Sequence, residues 1–381
     1  MKEFLVTEIK PNTFFTKTAF LDKSFIITTP ETPFTDELSS ALRKWSFKSI
    51  FSEGETHYDT LNDDSGMRIS PDASPIELSH QSDSDQLDKA EEFYSNLLFF
   101  VENTFVKTSV SNDLDYKNIM EKIKGIVEYI KEDRRFLMRV IRNIEPGPDK
   151  NYLATHSVRA TILSIIIGSY LKLPNHRLIE LGIAALVHEV GMLKLPSNIY
   201  LSSRQLNPVE QKAIISHPVL GYSLLKSLDF PLPICLAALE HHERENASGY
   251  PRRLTSDKIS LYSKIISVAC SYEALSSKRP HKEAKDGYTG MLELLKNDGK
   301  SYDDTIVRAL VVSISIYPIG LYVLLSNGKK AQVVDVNPEN PRFPIVQIFG
   351  DISPDGRVKT MQTAPDVVSI VRPLSSAEIE T

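Results

Sequence analysis

Five of the nine histidines in this 381-residue chain, His156, His188, His217, His241 and His242, fall where apolar residues recur at helical spacing. His156 shares a helix face with Ala160, Leu163 and Ile167, His188 with Leu181 and Ala185, and His242 with Cys235, Ala238 and Leu239. Their imidazoles are therefore expected to point into a core. One such histidine is usually a core residue whose nitrogens find backbone partners. Five of them, joined by the carboxylate of Glu189, make a nitrogen and oxygen donor set suited to Fe, Mn or Zn. The adjacent pairs His188-Glu189 and His241-His242 sharpen this, because neighbours on a helix diverge by about 100° and both can serve only where the helix borders a polar cavity. Two metals roughly 3.5–4 Å apart clamp phosphoryl oxygens and generate hydroxide, so phosphate-ester hydrolysis is the chemistry such a set suggests.

The elements that must carry these side chains are helices. From residue 151 to about 314 nearly every segment is helical by pattern, broken at Pro174-Asn175, Pro196-Ser197, Pro231-Leu232-Pro233 and Ser248-Gly249-Tyr250-Pro251. Helical periodicity begins earlier, near Gln86, and runs through Tyr94, Leu97, Leu98 and Val101, then after a polar break through Ile119, Ile123, Ile126, Val127 and Ile130. Before it, residues 55–85 are rich in Ser and Asp with little to bury, which predicts a flexible linker. Residues 1–54 mix short β-like runs around Phe25-Ile26-Ile27 with one helical stretch from Thr35 to Trp45, a small α/β module. After Tyr317-Pro318 short alternating runs are punctuated by Ser326-Asn327-Gly328 and Ser353-Pro354-Asp355-Gly356, which predicts a small β-sheet or barrel.

The organisation expected is thus mainly α. It comprises a module over 1–54, a linker over 55–85, connecting helices over 86–142, an all-helical domain over 143–315 and a β segment over 316–381. The net charge of −5 offers no basic field for gathering duplex DNA, so a nucleotide must meet a local positive site. No apolar run approaches the roughly 18 residues of a membrane span, and the start lacks a signal-peptide core. Cys235 and Cys270 are too few for a disulfide framework. A cytoplasmic protein is expected.

The order His156, then His188-Glu189-Val190-Gly191, then His217-Pro218 with Gly221, then His241-His242-Glu243-Arg244 and Gly249-Tyr250-Pro251, resembles the HD-GYP family of cyclic di-GMP phosphodiesterases. The resemblance covers about residues 150–315 and extends to Glu273-Ala274-Leu275 and Arg279-Pro280. It implies an HD-type phosphohydrolase domain. It implies metal ligation by His156, His188, Glu189, His217, His241 and His242, with Glu189 where the family places a bridging Asp. Tyr250 matches a tyrosine near the substrate, and Arg279 with Lys282 match a basic pair on its phosphates. The family position that holds a third-metal glutamate is Tyr152 here, so two divalent metals at most are implied.

Several positions depart from the family pattern. Its His-Asp-x-Gly-Lys is His188-Glu189-Val190-Gly191-Met192, a longer carboxylate with no lysine. Lys194 replaces that donor only if the helix ends before it, as Pro196 would allow. The family's later metal-binding Asp is Cys270, which is read either as a thiolate ligand or as a small buried hydrophobe. Glu243 either orients a ligating histidine or is a solvated helix residue. In the family's GYP motif, Asn246-Ala247-Ser248 replaces Asp-Gly-x.

Two functions follow from the resemblance. One is a phosphodiesterase that hydrolyses cyclic di-GMP to linear pGpG or GMP through a di-metal centre, with His188 and Glu189 at its heart. The other is a catalytically degenerate domain that binds cyclic di-GMP or a signalling protein partner. The helices over 86–142 are a candidate surface for a homodimer.

Overall fold

The computed structural model describes residues 2–10, 13–21, 26–28, 34, 36–44, 47–58, 80–143, 152–202, 204–277, 287–297, 300–337, 340–352, 358–365, 367–374 and 376–379. The chain divides into two compact units, residues 1–73 and 74–381.

In the first unit, strands β1 (Lys2–Leu5), β2 (Thr13–Phe15), β3 (Ala19–Phe20) and β4 (Ile26–Thr28) precede helix α1 (Asp36–Lys44) and strands β5 (Ser49–Ser52) and β6 (Thr56–Tyr58). Four strands form a sheet in the order β1-β5-β3-β4, and β2 pairs with β6. Val6, Phe15, Phe34, Leu42 and Ile50 make its core. The expected linker therefore starts later than its composition suggests, because Thr56–Tyr58 pairs as a strand. The rest of it up to residue 79 lies outside the described residues.

The second unit opens with two long helices, α2 (His80–Ser111) and α3 (Tyr116–Asn143). Helix α2 begins six residues ahead of Gln86, since periodicity registers a helix only once apolar residues such as Leu87 recur. Helix α3 is interrupted at Asp133 (φ −155°, ψ 84°), whose carboxylate accepts the Arg135 backbone N–H at 3.1 Å. Seven further helices follow: α4 (Tyr152–Tyr170), α5 (Asn175–Val187), α6 (Ser197–Tyr200), α7 (Pro208–Ile215), α8 (His217–Ser227), α9 (Leu232–Glu240) and α10 (Leu261–Ser276). Helices α11 (Gly287–Lys296) and α12 (Asp304–Ile314) complete the helical part. The prolines read as breaks stand at helix starts, with Pro174, Pro196 and Pro231 at the N-caps of α5, α6 and α9.

Helix α4 is buried along almost its whole length, from Leu153 to Gly168. It is the central rod of the helical layer, which explains why its apolar residues fall on every face. Helices α5 and α10 pack on it, and the combined core runs from Ala90 to Val336.

Strands β7 (Tyr322–Leu325), β8 (Lys330–Asp335), β9 (Ile345–Ile352), β10 (Val358–Gln362) and β11 (Ile370–Pro373), then a short helix α13 (Ser376–Ile379), end the described chain. The strands form one antiparallel sheet in the order β10-β9-β8-β7-β11. Gly328 makes the β7–β8 turn with φ +77°, a conformation that needs glycine. Arg135 of α3 pairs with Asp335 of β8 at 3.4 Å and ties sheet to helices.

Candidate metal centre

Three of the five histidines sit at helix ends, and the same local device holds each. His188 follows α5, His217 follows α7 as the first residue of α8, and His241 follows α9. In each case Nδ1 faces a carbonyl three residues back: Ala185 at 2.6 Å, Ile214 at 2.6 Å and Ala238 at 2.9 Å. Those carbonyls belong to the last turns of α5, α7 and α9, where helical N–H partners run out. An Nδ1–H donated there fixes the tautomer and leaves each Nε2 as a lone pair directed into the centre.

The adjacent pairs therefore reach the same cavity differently from the helix geometry expected of them. The α-helix ends at Val187, and Glu189 (φ −96°, ψ 6°) turns the chain into a 3₁₀ segment over Val190–Lys194. Likewise α9 ends at Glu240, and His241-His242 lie at and beyond its C-cap. His156 is the exception, placed within α4, with its Nδ1 against the Glu273 carboxylate of α10.

Close backbone packing brings these ends together. A Cβ on Gly191 would stand 1.9 Å from the His217 carbonyl oxygen and 2.6 Å from the Gly221 nitrogen, so the Glu189 turn lies directly on the start of α8 only because residue 191 has no side chain. A Cβ on Gly249 would meet the His242 carbonyl at 2.4 Å. Tyr250 then stacks on His242, ring centroids 4.6 Å apart and planes 17° from parallel, and the Tyr250-Pro251 peptide is cis.

The donors form two groups whose ligand atoms lie within 4.8 Å of one another, Glu189 with His217, His241 and His242, and His156 with His188 and Cys270. Glu189 spans both. Its Oε2 is 3.2 Å from His217 Nε2, and its Oε1 is 3.8 Å from the Nε2 atoms of His156 and His188. Yet the buried Oε2 makes no hydrogen bond. His217 Nε2 and His241 Nε2 face each other at 3.1 Å, two acceptors when both Nδ1 atoms carry their protons. Facing lone pairs and an orphaned carboxylate oxygen in a buried site leave polar groups unpaired at a cost of a few kcal/mol, about 1–3 each. A divalent cation satisfies them together, so the donor set fits metal.

Protonation agrees. Burial, reinforced by His156 and His217, holds the His188 imidazole down to about 4 against the opposing pull of Glu189. Burial and the neighbouring imidazoles put His241 and His242 well below the usual range. Burial alone would raise the Glu189 carboxyl, but His217, His188 and His156 outweigh it and hold it down to about 2. Near neutral pH His188, His241 and His242 are thus neutral and Glu189 is ionised, the forms that bind metal.

The remaining expected residues divide. Cys270 Sγ lies 3.2 Å from His188 Nε2, so the thiol is in the cluster. Tyr250 forms an aromatic wall on it, and burial pushes its phenol pKa up. Lys194, expected as a phosphate donor in place of the family's lysine, is exposed and donates to Asn112 Oδ1 just past the end of α2. Arg279 and Lys282 lie outside the described residues. Glu243 matches neither of its two expected roles. It is buried and accepts the backbone N–H groups of Arg252 at 2.6 Å and Leu254 at 2.9 Å, clamping the loop that carries Tyr250. Glu240 supports the same loop through Arg252 and the Ser260 N–H at 3.0 Å. Glu273, absent from the expected site residues, is marked in the sequence as a carboxylate on the inner face of an apolar helix, three residues after Cys270.

A buried histidine and carboxylate cluster where α4, α5, α8, α9 and α10 meet defines a helical domain of the HD type, and residues 142–306 match the family model described as HD domain. The chain is 30% identical over 239 residues to the cyclic di-GMP phosphodiesterase PdeB of Borreliella burgdorferi, covering 62% of this chain and 63% of that protein. It is 30% identical over 199 residues to a cyclic di-GMP phosphodiesterase of Pseudomonas aeruginosa, covering 52% and 48% of the two. A 3'3'-cGAMP-specific phosphodiesterase of Vibrio cholerae is 29% identical over 167 residues, covering 44% and 36%. The chain thus spans between about a third and two thirds of these relatives' lengths. The Gly249-Tyr250-Pro251 loop is seated on His242, and the relatives that share this HD-domain region are described as phosphodiesterases of cyclic dinucleotides.

Proposed function

We propose that this protein is a metal-dependent phosphodiesterase that opens cyclic di-GMP to linear pGpG or on to GMP. The observation that carries this reading is the facing pair of Nε2 lone pairs on His217 and His241 beside the unpaired Glu189 Oε2, a site built for cations. Two divalent ions there, iron or manganese foremost and zinc also compatible, would polarise phosphoryl oxygens and lower the pKa of water.

The chain's own residues hold and orient. His156, His188, His217, His241 and His242 present nitrogen donors, and Glu189 spans the two groups. Glu273 fixes the ring of His156. Tyr250, braced by Glu243, walls one side of the centre and offers a flat face to a nucleobase or ribose. Arg279 and Lys282 supply the cations for the phosphates. With no membrane-spanning helix among the described residues and two cysteines outside any disulfide, a reducing cytoplasm suits the chain.

Binding without hydrolysis is the second reading. Met192 is buried and Lys194 is engaged by Asn112, so no lysine pairs with Glu189 among the described residues. Incubation of anaerobically metal-loaded protein with cyclic di-GMP, with products separated by chromatography, distinguishes the two. Linear pGpG or GMP is expected. Nucleotide that binds at full metal occupancy and is recovered intact would favour the receptor.

A further inference from the structure

We propose that the centre consists of two chemically unlike metal sites, a hard one on Glu189, His217, His241 and His242 and a soft one on His156, His188 and the Cys270 thiolate. The inference rests on the reading that these side chains hold metals, but not on what the protein hydrolyses.

Geometry carries it first. Cys270 Sγ, His188 Nε2 and His156 Nε2 converge, and Glu189 Oε1 stands 3.8 Å from both of those nitrogens. A thiol in place of a ligand would donate its single S–H to one acceptor. Here His188 Nε2, His156 Nε2 and Glu189 Oε1 are acceptors around one point, because Ala185 and Glu273 take the Nδ1 sides of the two rings. One proton cannot serve three acceptors, whereas a cation can.

Charge carries it second. Among the donors of the two groups, Glu189 is the one carboxylate. Two divalent ions bring four positive charges into a buried site, and among the ligands themselves Glu189 offsets one of them, with the Glu273 carboxylate standing outside the ligand set against His156. Cys270 supplies a second anion when its S–H proton leaves to solvent as the metal–sulfur bond forms. Ligand softness then separates the sites. Thiolate with two imidazoles favours zinc or ferrous iron, and carboxylate with three imidazoles also accepts manganese.

The test is cobalt(II) loading of the metal-free full chain, followed by absorption and by peptide-level mass spectrometry after iodoacetamide. A near-ultraviolet sulfur-to-cobalt charge-transfer band is expected in the wild type and absent in Cys270→Ser. Alkylation of Cys270 should slow about tenfold or more on loading. This second readout needs no variant, and buried Cys235 serves as an internal reference. Cys270→Asp should keep cobalt bound while losing the charge-transfer band. Cobalt bound without the band or the protection would overturn the inference, as would protein that binds no cobalt. Loss of cyclic di-GMP turnover with band and protection intact would overturn the proposed activity alone.

Discussion

His217 Nε2 and His241 Nε2 approach to 3.1 Å while the opposite nitrogen of each ring faces a carbonyl of the preceding helix turn, Ile214 in α7 and Ala238 in α9. Two lone pairs held in that relation repel unless a cation stands beside them. Stripping metal should therefore destabilise the fold. At free metal near a hundred times its dissociation constant, the linkage is about 2.7 kcal/mol per site. Thermal melts with and without chelator should show the loss, and re-addition of metal should restore it. An unchanged melting temperature would contradict a metal-holding role.

The Glu273 carboxylate stands against His156 Nδ1, on the side of the ring opposite Glu189, so it acts as a positioning residue. Glu273→Ala should weaken metal affinity about 10–100-fold, the usual effect of removing a ligand's outer partner. Glu273→Gln keeps an acceptor for the Nδ1–H and should lose less. Metal titrations of both variants measure this. Equal losses in the two would point to a packing role instead.

Acid should unfold the metal-free protein in two stages. His188, lowered from 6.5 to about 4, is bound by fewer protons folded than unfolded between those values, so its contribution is present above 6.5 and lost as pH falls towards 4. Holding this buried imidazole neutral down to about 4 corresponds to roughly 3 kcal/mol. Glu189, lowered from 4.5 to about 2, adds a further loss below 4.5. Urea midpoints across this range should fall monotonically. A flat profile between 6.5 and 4 would show that the histidine is not buried neutral.

Gly191→Ala should be costly out of proportion to one methyl, since that carbon would lie 1.9 Å from the His217 carbonyl. Separating the Glu189 turn from α8 costs on the order of 1–3 kcal/mol or more. Metal affinity should fall with stability, because the turn aligns Glu189 with His217. Gly328→Ala, strained at its own turn with φ +77° and remote in sequence, should lose stability while keeping metal affinity.

Much of the site was legible because helical spacing reports which side chains point inward. His156 in α4 is placed by that signal, and the prolines at 174, 196 and 231 mark helix starts. Periodicity could not show where α5 and α9 end. His188-Glu189 and His241-His242 were thus read within continuous helices, when they share one cavity because the helix stops. The roles of Glu243 and Glu273 are not legible in the sequence, because a carboxylate looks the same there whether it meets solvent, a backbone N–H or an imidazole. Lys194 lies close to His188 along the chain, while its partner, Asn112, stands just past a helix some eighty residues earlier, beyond any local pattern.

The most direct test of the metal centre is diffraction from crystals of metal-loaded protein, recorded on both sides of the metal's absorption edge. Two anomalous peaks are expected, one among Glu189, His217, His241 and His242 and one among His156, His188 and Cys270. A map with no anomalous peak at these histidines, from protein shown to be saturated with metal in solution, would contradict it.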